Sequence, residues 1–300
     1  MRIAVTGATG LLGRYLVERF AAAGHVCRCW HRSSSDRGGF GASANKLEWL
    51  PGELGDQKAT AALVAGCDAV VHSGLYLPGD RFQGGEGDLL TFVDRNVLGT
   101  LALIEAARAA SVGRFIFISS CAVHDQILDD RPLNETHPTW AKSHYGAHKA
   151  AIEQFVYSFG LGEGYPICAL RPTAIYGLAY PPQQSTWFDL VRQVATGQSV
   201  ECRGGGKQVH AVDVARAAEL LLTADGIAGQ AYQCCDRYIS QFEVATLAKE
   251  ISGSMSEISG EPSRPKHEID TTKIRALGMT FGGQELLRAT IKQLVDATRR

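Results

Sequence analysis

Tyr145 and Lys149 stand four residues apart in the run Tyr145-Gly146-Ala147-His148-Lys149. On a helix that spacing puts both side chains on one face. A phenol titrates near ~10 in water, too high to exchange protons freely at neutral pH. A neighbouring ammonium stabilises the phenolate, and each pKa unit corresponds to about 1.36 kcal/mol. By itself the spacing is also that of an ordinary helix surface. A second constellation is the turn Thr6-Gly7-Ala8-Thr9-Gly10-Leu11-Leu12-Gly13, directly after the strand-like Arg2-Ile3-Ala4-Val5. Gly7 and Gly10 allow a tight turn and close approach of backbone to a pyrophosphate. Gly13 lets the following helix pack against the strand, with its N-terminal amides facing the anion. Ser120 follows the strand-like Phe115-Ser119, where a hydroxyl can reach the carboxyl edge of a sheet.

The elements that must hold these groups alternate. Strands are expected at Ile3-Val5, Val26-Trp30, Leu47-Leu50, Ala69-His72, Phe115-Ser119, Ile167-Arg171 and Ala231-Cys234. Helical stretches lie at Leu11-Ala23, Lys58-Ala65, Val97-Ala110, Tyr145-Phe159 and Leu286-Thr298. Strands separated by helix-length segments imply an α/β protein with a doubly wound parallel sheet covered on both faces. From about residue 173 the rhythm loosens, which predicts a smaller mixed C-terminal lobe for substrate. The expected division is 1–172 plus about 208–237 for a dinucleotide, and about 173–207 plus 238–300 for substrate.

Composition narrows the class. The 300 residues carry 30 Lys+Arg against 31 Asp+Glu, without the basic excess of a dedicated nucleic-acid binder. Hydrophobic residues at 45% and charged residues at 20% exclude a disordered chain. The 33 glycines exceed a typical ~7% and fit many tight turns. The eight cysteines form no CxxC pair and no metal template, so buried reduced thiols are expected and no metal. No apolar run approaches the ~18 residues of a membrane span. With a strand at the first residues leaving no room for a signal peptide, a cytoplasmic protein with no membrane partner is expected.

The TGxxGxxG spacing of the turn resembles that of the extended short-chain dehydrogenase/reductase family, the NAD-dependent epimerase/dehydratase group. The resemblance runs on through Val70-Val71-His72-Ser73-Gly74, Asn96-Val97-Leu98-Gly99-Thr100, Phe117-Ile118-Ser119-Ser120, the Tyr145–Lys149 run, Arg171-Pro172-Thr173 and Val209-His210-Ala211-Val212-Asp213. It implies a Rossmann fold and a catalytic Ser120, Tyr145 and Lys149, with Ser120 and Tyr145 holding the substrate oxygen. Ser120 is chosen over Ser119 by counting back four from His124, which replaces the usual Tyr and puts the pocket's substrate preference in question. Lys149 also reaches the nicotinamide ribose in the family. Cys121-Ala122 stands where the family's 4,6-dehydratases place Asp-Glu, which argues against dehydration, and Cys121 is out of register for a catalytic thiol.

The resemblance further implies cofactor contacts from Gly7, Thr9, Gly10, Leu11, Leu12 and Gly13, and from Ser73, Gly74 and Leu75. Glu53 and Leu54 are expected beside adenine, with Asp56 as competitor. Asn96 is either a contact near the active site or a helix N-cap, and Pro172, Thr173 and Ile175 would flank the carboxamide. Arg264 before Asp270-Thr271-Thr272-Lys273 would meet a substrate diphosphate, although Lys266-His267 alters the family's pattern. Trp187-Phe188 is either a sugar platform or lobe core. His31, Arg32 and Ser33 end the second strand without the acid that selects NAD, so NADP is expected, with NAD as the alternative. The implied function is a nicotinamide-dependent oxidoreductase or epimerase on a carbonyl/alcohol pair of a sugar nucleotide or polyol. The alternatives are an aldehyde or ketone reductase similar to the dihydroflavonol-reductase branch, and a non-catalytic dinucleotide sensor. A homodimer is expected through helices bearing Leu101, Ile104, Ile152, Phe155 and Phe159.

Overall fold

The structure is a computed structural model that describes residues 1–79 and 82–299. Its strands, in chain order, are β1 (Arg2–Thr6), β2 (Val26–His31), β3 (Leu47–Pro51), β4 (Ala69–His72), β5 (Phe115–Ile118), β6 (Ile167–Pro172), β7 (Ala174–Tyr176), β8 (Val200–Cys202), β9 (Gly205–His210), β10 (Gln230–Cys234), β11 (Arg237–Ser240) and β12 (Ile258–Gly260). The chain divides into two compact units.

The first unit comprises Met1–Pro172, Val214–Cys234 and Ile269–Met279. Its seven strands form one parallel sheet in the order β10-β6-β5-β4-β1-β2-β3. Every residue of β4, β5 and β6 is buried, as expected of strands with helices on both faces. The strand order reverses between β1 and β4, so the turn after β1 lies at the switch point where such sheets bind ligands. The segment 269–279, expected with the substrate lobe, packs in this unit instead. Ile269 bridges Leu133, and Lys273 Nζ donates to Gln230 Oε1 at 2.8 Å and to the Ala231 carbonyl at 2.9 Å.

Two helices matter for the site. His144–Tyr157 begins at Ser143, whose hydroxyl accepts from Gly146 N, and it buries His148, Lys149, Ile152, Glu153 and Val156. The other helical run starts well before the expected Val97. Asp88 caps it by accepting from Thr91 N, and it continues as Leu89–Val93, a wider π turn at Asp94–Leu98, and Gly99–Ala109. Asn96 is therefore no N-cap but a buried residue in mid-helix. On these helices Ile104 and Ile152 are fully buried, whereas Phe155 is exposed.

The second unit comprises Thr173–Asp213, Cys235–Glu268 and Thr280–Arg300. It holds a mixed three-stranded sheet, β11-β9-β7, and the parallel pair β12-β8. The helices Phe188–Ala195, Gln241–Ser252 and Gly283–Ala297 share its core through Val191, Val194, Val244, Leu287 and Ile291. Trp187 packs on Tyr176, ring centroids 5.2 Å apart, and Phe188 is buried, which resolves that pair as core. All eight cysteines are free thiols. Burial pushes Cys27 and Cys168 up to about 12, so they are inert small hydrophobes.

Candidate active site

Many of the first unit's expected site residues lie at or just past the carboxyl ends of β1 to β5, while Asn96, Tyr145 and Lys149 lie within helices. Gly7 adopts φ +70°, and a Cβ there would meet Gly74 N and Ser73 O at 2.9 Å. At Gly13 a Cβ would lie 2.0 Å from the Gly7 carbonyl oxygen, so only glycine lets the helix Leu11–Ala22 sit this close. Gly10 enters that helix with no side-chain cap, leaving the first amides beside Leu11 and Leu12 for an anion. The Thr9 carbonyl accepts from Arg14 Nε at 3.2 Å. Arg14 also bonds the Asp36 and Gly38 carbonyls and lies 4.6 Å from the Phe40 ring centroid, tying the loop after β2 to the helix. In that loop Arg32 and Ser33 are exposed, and His31 packs edge-on to Trp49.

A buried relay locks the turn to the neighbouring loop. Thr100 Oγ1 donates to the Asn96 carbonyl at 2.6 Å, so it accepts from His72 Nε2 at 2.9 Å. His72 Nδ1 then accepts from Thr6 Oγ1 at 2.6 Å, and Thr6 Oγ1 accepts from Gly74 N at 2.9 Å. Burial lowers His72 to about 3, which keeps the ring neutral as this pattern requires. Ser73 Oγ donates to the Thr6 carbonyl, and the Asn96 amide takes both backbone groups of Tyr76 beyond Leu75. Asn96 thus shapes the loop. Asp56 is settled as the cap of the helix Gln57–Val64, accepting from Ala59 N. Glu53 pairs with Arg95 at 3.3 Å, and Arg95 also holds the carbonyl of the buried Leu54.

The reacting constellation comes together. The Ser120 side chain lies beside the Tyr145 phenol, and burial pushes that phenol above its usual value while the neighbouring hydroxyl opposes the shift. Lys149 Nζ donates to the Ile118 carbonyl at 2.8 Å and lies 5.9 Å from the Tyr145 ring centroid. Burial lowers Lys149 to about 7, opposed by Glu153. Lys149 is thereby brought toward neutral pH, whereas the phenol is held protonated until a neighbouring positive charge stabilises its anion, which suits proton exchange with a bound alcohol or carbonyl. Two neighbours were not anticipated. Glu86 accepts from Tyr145 N at 3.1 Å, and the exposed Phe82 lies with its ring 5.4 Å from that of Tyr145.

His124 does not line a pocket, contrary to its expected bearing on substrate preference. It is buried, its Nδ1 bonds the Pro138 carbonyl, and its Nε2 accepts from Gln233 at 2.8 Å and from Arg171 at 3.1 Å. Cys121 likewise turns inward, its Sγ 3.0 Å from the Arg171 carbonyl and 3.2 Å from Gln233 Oε1. Arg171 and Glu153 form a fully buried pair, Nη2 to Oε2 at 2.5 Å and Nε to Oε1 at 2.9 Å. Arg171 stands in the Arg171-Pro172-Thr173 motif, whereas the only sequence signal of Glu153 is its place four residues beyond Lys149.

Pro172 ends β6 in the first unit, while Thr173 and Ile175 (in β7) belong to the second. Arg264 is exposed in the second unit's 261–268 segment. His210 is buried, with Nε2 donating to Thr290 Oγ1 at 3.0 Å, a structural role. No metal-holding cluster occurs among the described residues, and none of their helices is long and apolar enough to cross a membrane.

Comparison with known proteins agrees with the geometry. The chain is 30% identical over 297 residues to a dTDP-glucose 4,6-dehydratase of Streptomyces niveus, covering 92% of this chain and 86% of that protein. It is 31% identical over 278 residues to a 4-hydroxy-2-methyl-3-oxo-4-farnesyl-3,4-dihydroquinoline-1-oxide ketoreductase of Stigmatella aurantiaca, covering 87% and 76%. In fold it matches the UDP-glucose-4-epimerase of Stenotrophomonas maltophila solved with NAD and formylated UDP-arabinopyranose, with TM-score 0.82, 22% identity, and coverage of 100% and 98%. Residues 3–235 match the model of the NAD dependent epimerase/dehydratase family. With the glycine turn at the switch point and the Ser120–Tyr145–Lys149 grouping in place, the chain is an enzyme that belongs to the NAD dependent epimerase/dehydratase family.

Proposed function

We propose that the protein is a nicotinamide-dependent oxidoreductase or epimerase acting on a carbonyl/alcohol pair, with a nucleotide sugar as its substrate class. The observation that carries this reading is the grouping of Ser120 and Tyr145 with the buried Lys149, whose Nζ lies 5.9 Å from the Tyr145 ring centroid. The bare helix start at Gly10 and the cradle at Gly7 and Gly13 fit a dinucleotide pyrophosphate. The chemistry a nicotinamide supplies when bound is hydride transfer to or from a carbinol carbon. Ser120 orients the substrate oxygen, and Tyr145 gives or takes its proton. Lys149 in its ammonium form stabilises the phenolate through the field of its charge, and it is the residue that would hold the ribose of a bound nicotinamide. Cys121 and Ala122 hold no acid or base for dehydration, which favours oxidoreduction or epimerisation over loss of water.

The dinucleotide is proposed to be NADP. Position 31, the last of β2, is His and not a carboxylate, and the exposed Arg32 and Ser33 can meet a 2′-phosphate. Homodimer formation is proposed through the helical run 89–109 and the helix His144–Tyr157. These leave Leu90, Leu98 and Phe155 exposed at 78%, 55% and 40%. A micromolar solution with a monomeric mass contradicts that assembly. A cytoplasmic location is part of the same proposal.

A second reading is reduction of a ketone or aldehyde without a nucleotide. The exposed Phe82 ring on Tyr145 and the ketoreductase relative favour it. A turnover screen of protein freed of dinucleotide, with NAD and NADP against UDP- and dTDP-sugars and small carbonyls, separates the two. Turnover of a nucleotide sugar is expected. Turnover of small carbonyls alone selects the second reading, and turnover of none with either dinucleotide refutes both.

A further inference from the structure

The end of β5 meets the helix His144–Tyr157 in three consecutive rungs. The Ile118 carbonyl receives Lys149 Nζ at 2.8 Å, Ser119 Oγ donates to Glu153 Oε1 at 2.5 Å, and the Ser120 side chain lies beside Tyr145. The last residue of β5 and the two that follow it thus meet helix positions 149, 153 and 145, which share one face. Two of those positions hold the proposed chemistry. The third, Glu153, is fully buried and is used by no step of it. The same helix also buries Ile152 and Val156, but apolar burial is non-directional and does not fix register. Directional bonds do. Arg171 completes the arrangement from β6, bonding both Glu153 oxygens and reaching Tyr157 Oη at 3.0 Å and His124 Nε2 at 3.1 Å.

We propose that Glu153 is a positioning residue for the Tyr145–Lys149 site, with Ser119, just past the end of β5, as its partner and Arg171 as its counter-ion. The proposal rests on the function assigned above to Tyr145 and Lys149. The charges around Lys149 agree with it. On its own helix Lys149 faces Tyr145, His148 and Glu153; β4 contributes His72, and β6 contributes Arg171 beyond Glu153. β5 offers only the Phe117 ring and the Ile118 carbonyl. Burial holds His72 and His148 neutral, at about 3 and about 2. Glu153 is the acid that supports the Lys149 ammonium against burial.

The test follows the 13Cε resonance of Lys149, assigned with Lys149→Arg, through a pH titration of protein saturated with NADP and, separately, with NAD. In Glu153→Gln the Lys149 midpoint is expected to fall by about one pH unit or more. Ser119→Ala, which keeps every charge, is expected to lower kcat about tenfold or more through loss of alignment, with KM and dinucleotide affinity held within roughly threefold. Ser119→Thr is expected to restore kcat. A Lys149 midpoint unmoved in folded Glu153→Gln overturns the proposal, and so does a Ser119→Ala kcat equal to wild type. The titration needs no substrate. A wild type that turns nothing over therefore refutes the proposed function, while the titration still decides the role of Glu153.

Discussion

Replacing Arg171 by Met removes the cation from a fully buried ion pair and leaves the Glu153 carboxylate with Ser119 as its remaining partner. Arg171 is 0% exposed and bonds Glu153 through Nε and Nη2, with Tyr157, His124 and the Glu135 carbonyl taking its other donors. Breaking a buried pair from one side costs about 3–5 kcal/mol, because the orphaned charge cannot regain its hydration. The affected unit has roughly 200 residues, for which each kcal/mol moves Tm by about 2–4 °C. Arg171→Met should therefore lower Tm by about 6–20 °C. Replacing both partners by apolar residues removes the orphaned charge. Arg171→Met/Glu153→Leu should accordingly be more stable than the two single changes sum to, with a coupling of about 2 kcal/mol or more. Thermal and urea unfolding of the four proteins measures the cycle. Single changes that each cost less than about 1 kcal/mol, or that add without coupling, refute the reasoning.

Other expectations concern the turn, the acid limb and the second-strand loop. Gly13→Ala drives a Cβ to 2.0 Å from the Gly7 oxygen, so dinucleotide affinity should fall about tenfold or more by calorimetry. Gly162→Ala, where a Cβ meets nothing within 4 Å, is the control that should leave affinity unchanged. Burial lowers His72, His124 and His148 to about 3, 4 and 2, whereas unfolded histidines titrate near ~6.5. The unfolded chain then takes up protons first as pH falls below ~6.5. Stability present above that pH is lost downward at up to about 1.36 kcal/mol per pH unit for each ring. Melting scans between pH 7.5 and 5 should show a steep fall in Tm, and a flat profile contradicts buried neutral rings. Arg32→Ala should weaken NADP binding about tenfold and leave NAD binding unchanged. Tighter binding of NAD than of NADP to the wild type rejects the NADP assignment.

The parallel sheet was legible because its strands are unbroken apolar runs, such as Phe-Ile-Phe-Ile in β5, separated by helix-length segments. The phosphate turn was legible because its glycines answer steric demands between residues close in sequence, Gly7 and Gly13. Asn96 was misplaced at a helix opening because Asp88, the actual cap, follows a glycine-rich stretch that hides the start of Leu89–Val93. Of the second unit's helices named above, Gly283–Ala297 was legible as Leu286-Thr298, while Phe188–Ala195 and Gln241–Ser252 were not. Phe188–Ala195 is short and is entered through Trp187 at φ +68°, a conformation no side-chain pattern announces. His124 was read as a pocket residue by its place in a motif. Its orientation is set by Arg171 and Gln233, 47 and 109 residues away, and partners that distant leave no local signal. The reactive residues were found through motifs that resemble a family's, since the Tyr145–Lys149 spacing alone is that of any helix surface, whereas the groups that hold them needed the fold.

The central claim is that Tyr145 exchanges the proton of a substrate oxygen held by Ser120, beside a bound nicotinamide. Tyr145→Phe deletes the one oxygen that performs this step and keeps the ring that meets Phe82 and His148. Dinucleotide affinity and steady-state turnover, measured side by side on this variant and the wild type, test it most directly. The account predicts dinucleotide affinity within roughly threefold of wild type and a turnover loss of about a hundredfold or more. Turnover by Tyr145→Phe equal to wild type would contradict it.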